Sequence, residues 1–238
     1  MTDTAQQSGD HMSQLLRKME MQQLQMKLEL QFQKNMALFK QMAKEIYDQF
    51  INYKPEELRL LYTEDGILNL VNYTLKNKPV YESDPKKFSE DQADQFIKTP
   101  TLSSISFTTA KVINPNHIHV GLMNALIEAY REMEHKKPRT DIPMGLMIMT
   151  GCGLGYQLPY LIEKLDIRNL VIFDPHKDSF YASLHTIDWQ PILEYFCRPG
   201  RMIKLFLGVE AADAMADMKL LSDKIGLYNL GDTYLYRH

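Results

Sequence analysis

The sequence is poor in features on which several large classes of protein depend. Only two of its 238 residues are cysteines, Cys152 and Cys197. Two cysteines cannot build the disulfide framework of a small secreted domain, so a reducing compartment, the cytoplasm, is expected. No apolar run approaches the ~20 residues of a membrane-spanning helix. The polar N-terminal residues do not form a secretory signal. We therefore expect neither secretion nor a membrane span.

The sequence also has no large excess of charge of either sign. The chain has 27 Lys and Arg against 30 Asp and Glu, a net charge of −3. This balance provides no basic field for nucleic acid or an anionic membrane, and the run Lys136, Lys137 and Arg139 is too short to provide one. His117 and His119 would share one side of a strand, but no further His or Cys spacing supports a metal site. The sequence therefore predicts no nucleic acid, membrane or metal partner.

Proline and glycine are absent from residues 13–53, and good helix formers dominate there. Residues 1–11 are small and polar and are expected to form a disordered tail. Beyond them, apolar side chains recur at alternating steps of three and four: Met12, Leu16, Met19, Met26, Leu30 and Ala37. Gln23 and Gln33 fill the missing steps. This heptad stripe predicts either a helix face buried on the rest of the protein, or a homo-oligomer or partner contact through residues 12–40.

Residues 12–135 are interpreted as a helical and α+β N-terminal region. Its predicted elements are a helical turn at 56–62, a short β-hairpin at 67–81, a helix near Ala93, a strand at 102–109 and a helix at 120–133. A polar segment bounded by prolines follows at 135–143. We place the boundary there, with a second domain over residues 136–238.

The pattern after this boundary alternates short apolar runs with helical segments. The predicted order is strand 146–149, helix 156–165, strand 170–173, helices 178–184 and 189–196, strand 202–207 and helix 211–225. Alternation of this kind implies a parallel sheet covered by helices on both faces. The fold class is therefore α/β, a Rossmann-like domain preceded by the helical and hairpin region.

A glycine turn follows the first strand of that domain and opens its first helix. Gly151, Gly153 and Gly155 would permit a tight turn and let a ligand approach the backbone, while the N–H groups of the helix start favour an anion. Asp174 ends the next strand, where a carboxylate can accept a hydrogen bond from a ribose hydroxyl. These four residues are the predicted cofactor-binding set. The G-x-G-x-G spacing favours S-adenosylmethionine over a nicotinamide, and a turn that only packs helix against sheet is the alternative.

Two neighbouring residues are interpreted structurally. Asp178 is expected to cap the start of the helix that follows Asp174. Cys152 lies near a helix N-terminus, where a thiol pKa falls, but the sequence places no base beside it, so a packing role is expected. No nucleophile elbow, Walker loop or carboxylate pair is present, and no catalytic residue is predicted.

Several segments, in this order, resemble the N-terminal region of the motility accessory factor (Maf) flagellin glycosyltransferases. They are residues 32–39 (FQKNMALF), 65–70 (DGILNL), 80–85 (VYESDP), 151–156 (GCGLGY) and 171–175 (VIFDP). The resemblance runs from Phe32 to the end of the chain. Most of the resemblance lies in two features: the glycine turn followed by Tyr156, and the strand that ends in Asp174-Pro175.

The resemblance implies a role in bacterial motility. Members of that family are cytoplasmic enzymes that transfer nonulosonic acids from CMP-activated donors to Ser or Thr of flagellin. Their chemistry is assigned to a central domain with a Gly-x-Gly-Pro-Ser signature, which this sequence lacks. The expected function is a non-catalytic module that contacts flagellin or the rest of a longer glycosyltransferase, whether the chain is a fragment or a stand-alone copy. The alternative is a small enzyme that uses S-adenosylmethionine or a nucleotide at the glycine turn.

Overall fold

The computed structural model describes residues 2–63, 66–104, 120, 124–125, 143–225 and 232–238, with side chains from Lys18 onward apart from residues 104 and 219–225. The chain divides into two compact units. Unit 1 comprises Met1–Ser89, Cys152–Pro159 and His176–Tyr195. Unit 2 comprises Glu90–Gly151, Tyr160–Pro175 and Phe196–His238. The units are interleaved along the sequence, whereas the sequence predicts one boundary at residue 136, which lies outside the described residues.

Unit 1 begins with two consecutive helices, α1 (Thr2–Met42) and α2 (Lys44–Phe50). They are separated at Ala43, whose φ of −150° and ψ of 75° leave the helical region. The predicted helix at 13–53 is thus present with one interruption. Residues 2–11, which we expected to form a disordered tail, have a helical backbone that is continuous with α1.

The face of α1 that packs in unit 1 is not the one that the heptad pattern favours. Phe32, Asn35, Met36 and Phe39 are buried, whereas Met19, Met26 and Leu30 are 53%, 58% and 65% exposed. The buried face carries aromatic contacts: Phe32 stacks on His185 with 4.5 Å between ring centroids, and Phe39 lies 5.7 Å from Trp189. The prediction that the stripe is the buried face is therefore wrong, because large aromatic side chains on another face remove more apolar surface from water.

A three-stranded antiparallel sheet in unit 1 has the order β1 (Leu58–Tyr62), β2 (Leu68–Asn72) and β3 (Lys78–Pro79). The last two strands confirm the predicted hairpin; Lys76 and Asn77 turn the chain with φ of 54° and 59°. The predicted helical turn at 56–62 is wrong. Its residues alternate between half-buried and exposed, which is the period of a strand, and they pair with β2.

Unit 2 contains a five-stranded sheet of order β4-β8-β5-β6-β7. The strands are β4 (Thr101–Ser104), β5 (Met144–Thr150), β6 (Ile167–Asp174), β7 (Met202–Leu207) and β8 (Asp232–Arg237). Strands β8, β5, β6 and β7 are mutually parallel, and β4 pairs with β8 antiparallel. Strand β8 was not predicted, although it lies between β4 and β5.

The remaining helices are α3 (Pro85–Lys98), α4 (Gln157–Lys164), α5 (Lys177–Thr186), α6 (Gln190–Phe196) and α7 (Ala211–Ile225). Within unit 2, Ala214 of α7 packs on Leu146 and Val171 of the sheet. The opposite face carries Tyr236, whose ring lies 5.3 Å from Phe96 of α3. Both faces of this sheet therefore carry helical residues.

The predicted fold class is confirmed: the chain is α/β with a mostly parallel sheet, an N-terminal helix and a β-hairpin. The helix that we placed near Ala93 begins earlier, at Pro85. Residues 105–109 of a predicted strand, most of the predicted helix at 120–133, the predicted linker, His117 and His119 lie outside the described residues. No described helix is both long enough and apolar enough to span a membrane.

Candidate functional site

The glycine turn joins β5 to α4, as predicted, and its three glycines all need positive φ. Their φ angles are 82° at Gly151, 53° at Gly153 and 80° at Gly155, values that residues with a Cβ rarely adopt. The turn is shared between the units, since Gly151 belongs to unit 2 whereas Gly153 and Gly155 belong to unit 1.

In unit 2, Gly151 and Asp174 come together at the carboxyl ends of the adjacent parallel strands β5 and β6. The Gly151 N–H donates to the Phe173 carbonyl at 2.9 Å. Asp174 is 2% exposed, and its backbone carbonyl accepts the N–H of Gly208 at 2.8 Å. This strand-end location is the one where α/β sheets bind ligands. A carboxylate this buried would need a ligand that reaches it without solvent between them, and its role stays a prediction.

In unit 1, the remainder of the turn is bonded to protein side chains. The backbone N–H of Leu154 donates to the Tyr81 hydroxyl at 3.3 Å, and its carbonyl accepts the Thr186 hydroxyl at 2.6 Å. Leu154 itself is buried against Leu70 and Ala182. These contacts hold the hairpin sheet, the turn and α5 together within unit 1. They give the turn a packing role that the sequence alone left as an alternative.

Gly155 is fixed by space as well as by its backbone angle. A Cβ built there would lie 2.7 Å from Cδ1 of Ile187 and 3.2 Å from Cβ of Ser183. We expect Gly155→Ala to lower the free energy of unfolding by about 2–3 kcal/mol, because positive φ and a steric clash add. Urea denaturation would measure it. Gly200→Ala is the matched control, since its φ is 75° but no atom lies within 4 Å of its Cβ position. Equal losses in both variants would contradict the steric part of this prediction.

Asp178 does not cap the helix as predicted, because the N-cap residue is His176 and no side-chain cap bond forms. Its carboxylate instead accepts the Tyr53 hydroxyl at 2.6 Å and the backbone N–H groups of Glu57 at 2.7 Å and Leu58 at 2.8 Å. The N–H of Glu56 lies 3.1 Å from both carboxylate oxygens. Burial would raise the pKa of Asp178, but these hydrogen bonds outweigh it and hold the pKa below its usual value. The carboxylate fixes the start of β1 on α5.

A groove of about 530 Å³ opens beside this carboxylate in unit 1. We call it the β1 groove, because every residue of β1 lines it. Its other walls come from α1, from Pro55 and from α5, and include Lys18, Met21, Leu28, Glu29, Tyr181 and His185. Burial raises the pKa of Tyr181, and to a smaller extent so does the charge of Glu29. No sequence pattern indicates this groove, since its walls lie far apart along the chain.

His185, in the lining of the groove, links the stability of the chain to mildly acid pH. Burial lowers its pKa below 6.5, only partly opposed by the Tyr181 carbonyl and the charge of Glu29. The unfolded chain then binds the proton more tightly, so this contribution to stability is complete above pH 6.5 and is lost as pH falls towards the folded-state pKa. We expect His185→Gln to lose less stability than the wild-type protein between pH 7.5 and about 5.5. Urea denaturation at both pH values measures the difference.

His238, whose pKa burial lowers to about 4, contributes equally to both proteins and cancels in that comparison. Identical pH slopes in the two proteins would contradict the assignment to His185.

The two cysteines and the possible metal ligands are the remaining candidate groups. Cys152 is buried, in agreement with its expected packing role, and Cys197 is exposed. Across the described part of the chain, no group of three or more His, Cys, Asp or Glu side chains is placed to hold a metal ion.

Comparisons with known proteins give two matches. The family model described as "Glycosyltransferase Maf N-terminal domain" matches residues 31–238. Among solved structures, the chain is similar to the MAf glycosyltransferase from Magnetospirillum magneticum AMB-1, with a TM-score of 0.61 and 22% sequence identity. That similarity covers 88% of this chain and 32% of the other, so this chain spans about a third of that protein's length. No curated protein matches the sequence.

Proposed function

Because this chain belongs to the glycosyltransferase Maf N-terminal domain family, we propose that it is a non-catalytic module of a bacterial flagellin glycosyltransferase. The module acts in the cytoplasm, beside a catalytic domain that transfers a nonulosonic acid from a CMP-sugar to Ser or Thr of flagellin. Its partners are flagellin and the rest of the glycosyltransferase chain. The role in flagellin modification makes it a factor in motility.

The observation that supports a non-catalytic role is the state of the glycine turn. In unit 1 the backbone of Leu154 is bonded on both sides by the Tyr81 and Thr186 hydroxyls, and Gly155 is packed against Ile187. These contacts within the protein explain this part of the turn without a bound ligand. The sequence also lacks the Gly-x-Gly-Pro-Ser signature of the family's central domain.

Separating the activities of the chain and of its full-length relatives tests this proposal. Residues 1–238 alone, and a full-length family member that carries this domain, are each incubated with a CMP-nonulosonic acid and flagellin. We expect CMP release and flagellin modification, followed by mass spectrometry, only from the full-length protein. A full-length variant that lacks the domain should lose flagellin modification while keeping donor hydrolysis. Turnover of the CMP-sugar by residues 1–238 alone would contradict the proposal.

The alternative is a small transferase that binds S-adenosylmethionine or a nucleotide at the turn. The location of Gly151 and Asp174 at adjacent strand ends of unit 2 favours it. Calorimetry with S-adenosylmethionine, its demethylated product, CMP and CMP-sugars distinguishes the two. Micromolar binding that Gly153→Val or Asp174→Ala abolishes would support the enzyme, and binding of none of these ligands would reject it.

We also propose that the exposed stripe of α1 mediates homo-oligomer formation. Met19, Met26 and Leu30 keep the heptad spacing on a helix face that unit 1 leaves exposed. Gln23 would face its own counterpart in a parallel, in-register pair, and such polar layers fix the register of coiled coils. Light scattering on the intact chain and on a variant lacking residues 1–31 tests this: a drop from dimer mass to monomer mass is expected. A monomeric intact chain would contradict it.

A further inference from the structure

The β1 groove lies along the outer edge of a sheet. Strand β1 is the first of the order β1-β2-β3 and pairs with β2 on one side. Its residues Leu58, Arg59, Leu60, Leu61 and Tyr62 all line the groove. Successive strand residues point to opposite faces of a sheet, so a groove that contacts all five runs along the strand edge.

The hydrogen bonds to β2 show which backbone groups face this edge. Tyr73 N–H donates to the Glu57 carbonyl at 2.9 Å, and Thr63 N–H donates to the Ile67 carbonyl at 2.8 Å. In an antiparallel pair, such hydrogen bonds between opposite residues recur at every second residue. The backbone groups of Arg59 and Leu61 therefore bond to β2. The backbone groups of Leu58, Leu60 and Tyr62 therefore point away from β2.

Only the first of these outward-pointing residues has its N–H bonded within the described part of the chain. The Leu58 N–H donates to the Asp178 carboxylate at 2.8 Å. Among the described residues, none forms a hydrogen bond with the backbone N–H or carbonyl of Leu60 or Tyr62. An edge with open donors and acceptors is a template for another strand.

The two faces of β1 specify what such a strand would carry. The inward face is apolar, because Leu58 and Leu60 pack on the buried cluster of Leu70, Tyr81, Leu154 and Ala182. The outward face carries the exposed Arg59, whose guanidinium lies 4.6 Å from the centre of the Tyr73 ring. Side chains of opposite charge that lie next to each other on neighbouring strands stabilise the pairing of those strands.

The groove lining carries two cations and two acids, and both acids accept hydrogen bonds from within the chain. Lys18 and Arg59 are exposed cations of its lining. Of the two acids, Asp178 is saturated by the Tyr53 hydroxyl and three backbone N–H groups. Glu29 accepts the side-chain amide of Gln33 at 3.1 Å.

We propose that the β1 groove is a peptide-binding site, in which an extended polypeptide with alternating apolar and acidic residues adds to β1 as a further strand. Its apolar side chains extend the inward face, and an acidic side chain pairs with Arg59. Main-chain hydrogen bonds to Leu60 and Tyr62 supply affinity, and the alternating side chains supply specificity. This site is separate from the glycine turn and independent of the proposed glycosyltransferase role.

A capped peptide of about seven alternating valine and glutamate residues is the probe, titrated into the intact chain by fluorescence anisotropy. We expect saturable binding and slower amide hydrogen exchange at Leu60 and Tyr62. The same peptide N-methylated at alternate amides keeps its side chains but loses the donors of one edge. It should bind at least about tenfold more weakly. Failure of the unmodified peptide to bind, or equal binding of the methylated one, would overturn the proposal.

The role of Arg59 is tested by reversing its charge. Arg59→Glu should weaken binding of the glutamate peptide about tenfold and strengthen binding of a matching lysine peptide. Lys78→Glu, on the opposite edge strand β3, is the control and should leave both affinities unchanged. Circular dichroism and urea denaturation confirm that both variants are folded. Equal effects of the two substitutions would show non-specific charge attraction and overturn the assignment to β1.

Discussion

Asp178→Ala is expected to lower the free energy of unfolding by about 3–5 kcal/mol, the largest single effect that we predict. The carboxylate accepts hydrogen bonds from the Tyr53 hydroxyl and from the N–H groups of Glu56, Glu57 and Leu58. Alanine would remove the common acceptor of these four donors, a side chain that is only 5% exposed. Urea denaturation monitored by the fluorescence of Trp189, which is buried in the same unit, measures the change.

Asp188→Ala is the matched control for that substitution. Asp188 pairs with Lys34 at 2.6 Å and also accepts the N–H of the exposed Gln190 at 3.0 Å. Both side chains of the ion pair are partly exposed, and exposed ion pairs contribute about 1 kcal/mol or less. A loss at Asp178 no larger than that at Asp188 would contradict the structural role of its hydrogen bonds. Since the pKa of Asp178 is lowered on folding, its contribution is present above pH 3.8 and is lost as pH falls further, through its folded-state value.

Asn35→Asp is expected to lower the free energy of unfolding by about 3 kcal/mol or more, although the two side chains have nearly the same shape. The Asn35 amide N–H₂ donates to the carbonyls of Leu184 and Ile187, both at 2.8 Å, and its oxygen accepts the Trp189 N–H at 3.0 Å. An aspartate would place a carboxylate oxygen against two carbonyls at a position with 0% exposure. It would remain there only by taking up a proton.

The pH dependence of that variant identifies the cause. If the buried charge is responsible, Asn35→Asp should recover part of its stability as pH is lowered and the carboxyl group is protonated. Gln33→Glu, an exposed amide-to-acid change on the same helix, should change stability by less than about 0.5 kcal/mol. A small, pH-independent effect at Asn35 would contradict the hydrogen-bond account.

The sequence predicted those parts of the fold that local patterns determine. Strand β7 and helix α7 have the predicted bounds, because a short apolar run and a helical period are each complete within their own segment. The tight turn expected at Gly151, Gly153 and Gly155 is likewise present, with positive φ at all three glycines. The resemblance through the segments around the turn predicted the family that residues 31–238 match.

The errors involve residues whose partners are distant along the chain. Leu58 to Tyr62 form a strand because β2 and Asp178 satisfy their backbone, and Asp178 is 120 residues away from Leu58. The burial of Asn35 depends on Leu184, 149 residues away. The heptad stripe of α1 was the stronger local pattern, yet His185 on α5 and Trp189, just before α6, decided which face of the helix is buried. The cofactor-binding role of Gly151, Gly153, Gly155 and Asp174 stays a prediction, because their spacing is shared by turns that only pack a helix against a sheet.

The order of strands β4, β8 and β5 has a consequence for how this protein is made. During synthesis, β5, β6 and β7 leave the ribosome before residues 232–237, yet β8 occupies the place between β4 and β5. Until β8 is made, the edges of β4 and β5 that will pair with β8 are both unpaired. Unpaired strand edges are where nascent chains aggregate. Ribosomal stalling between β7 and β8 should therefore produce protease-sensitive, chaperone-bound chains, and release of the arrest should let the sheet close in a single late step.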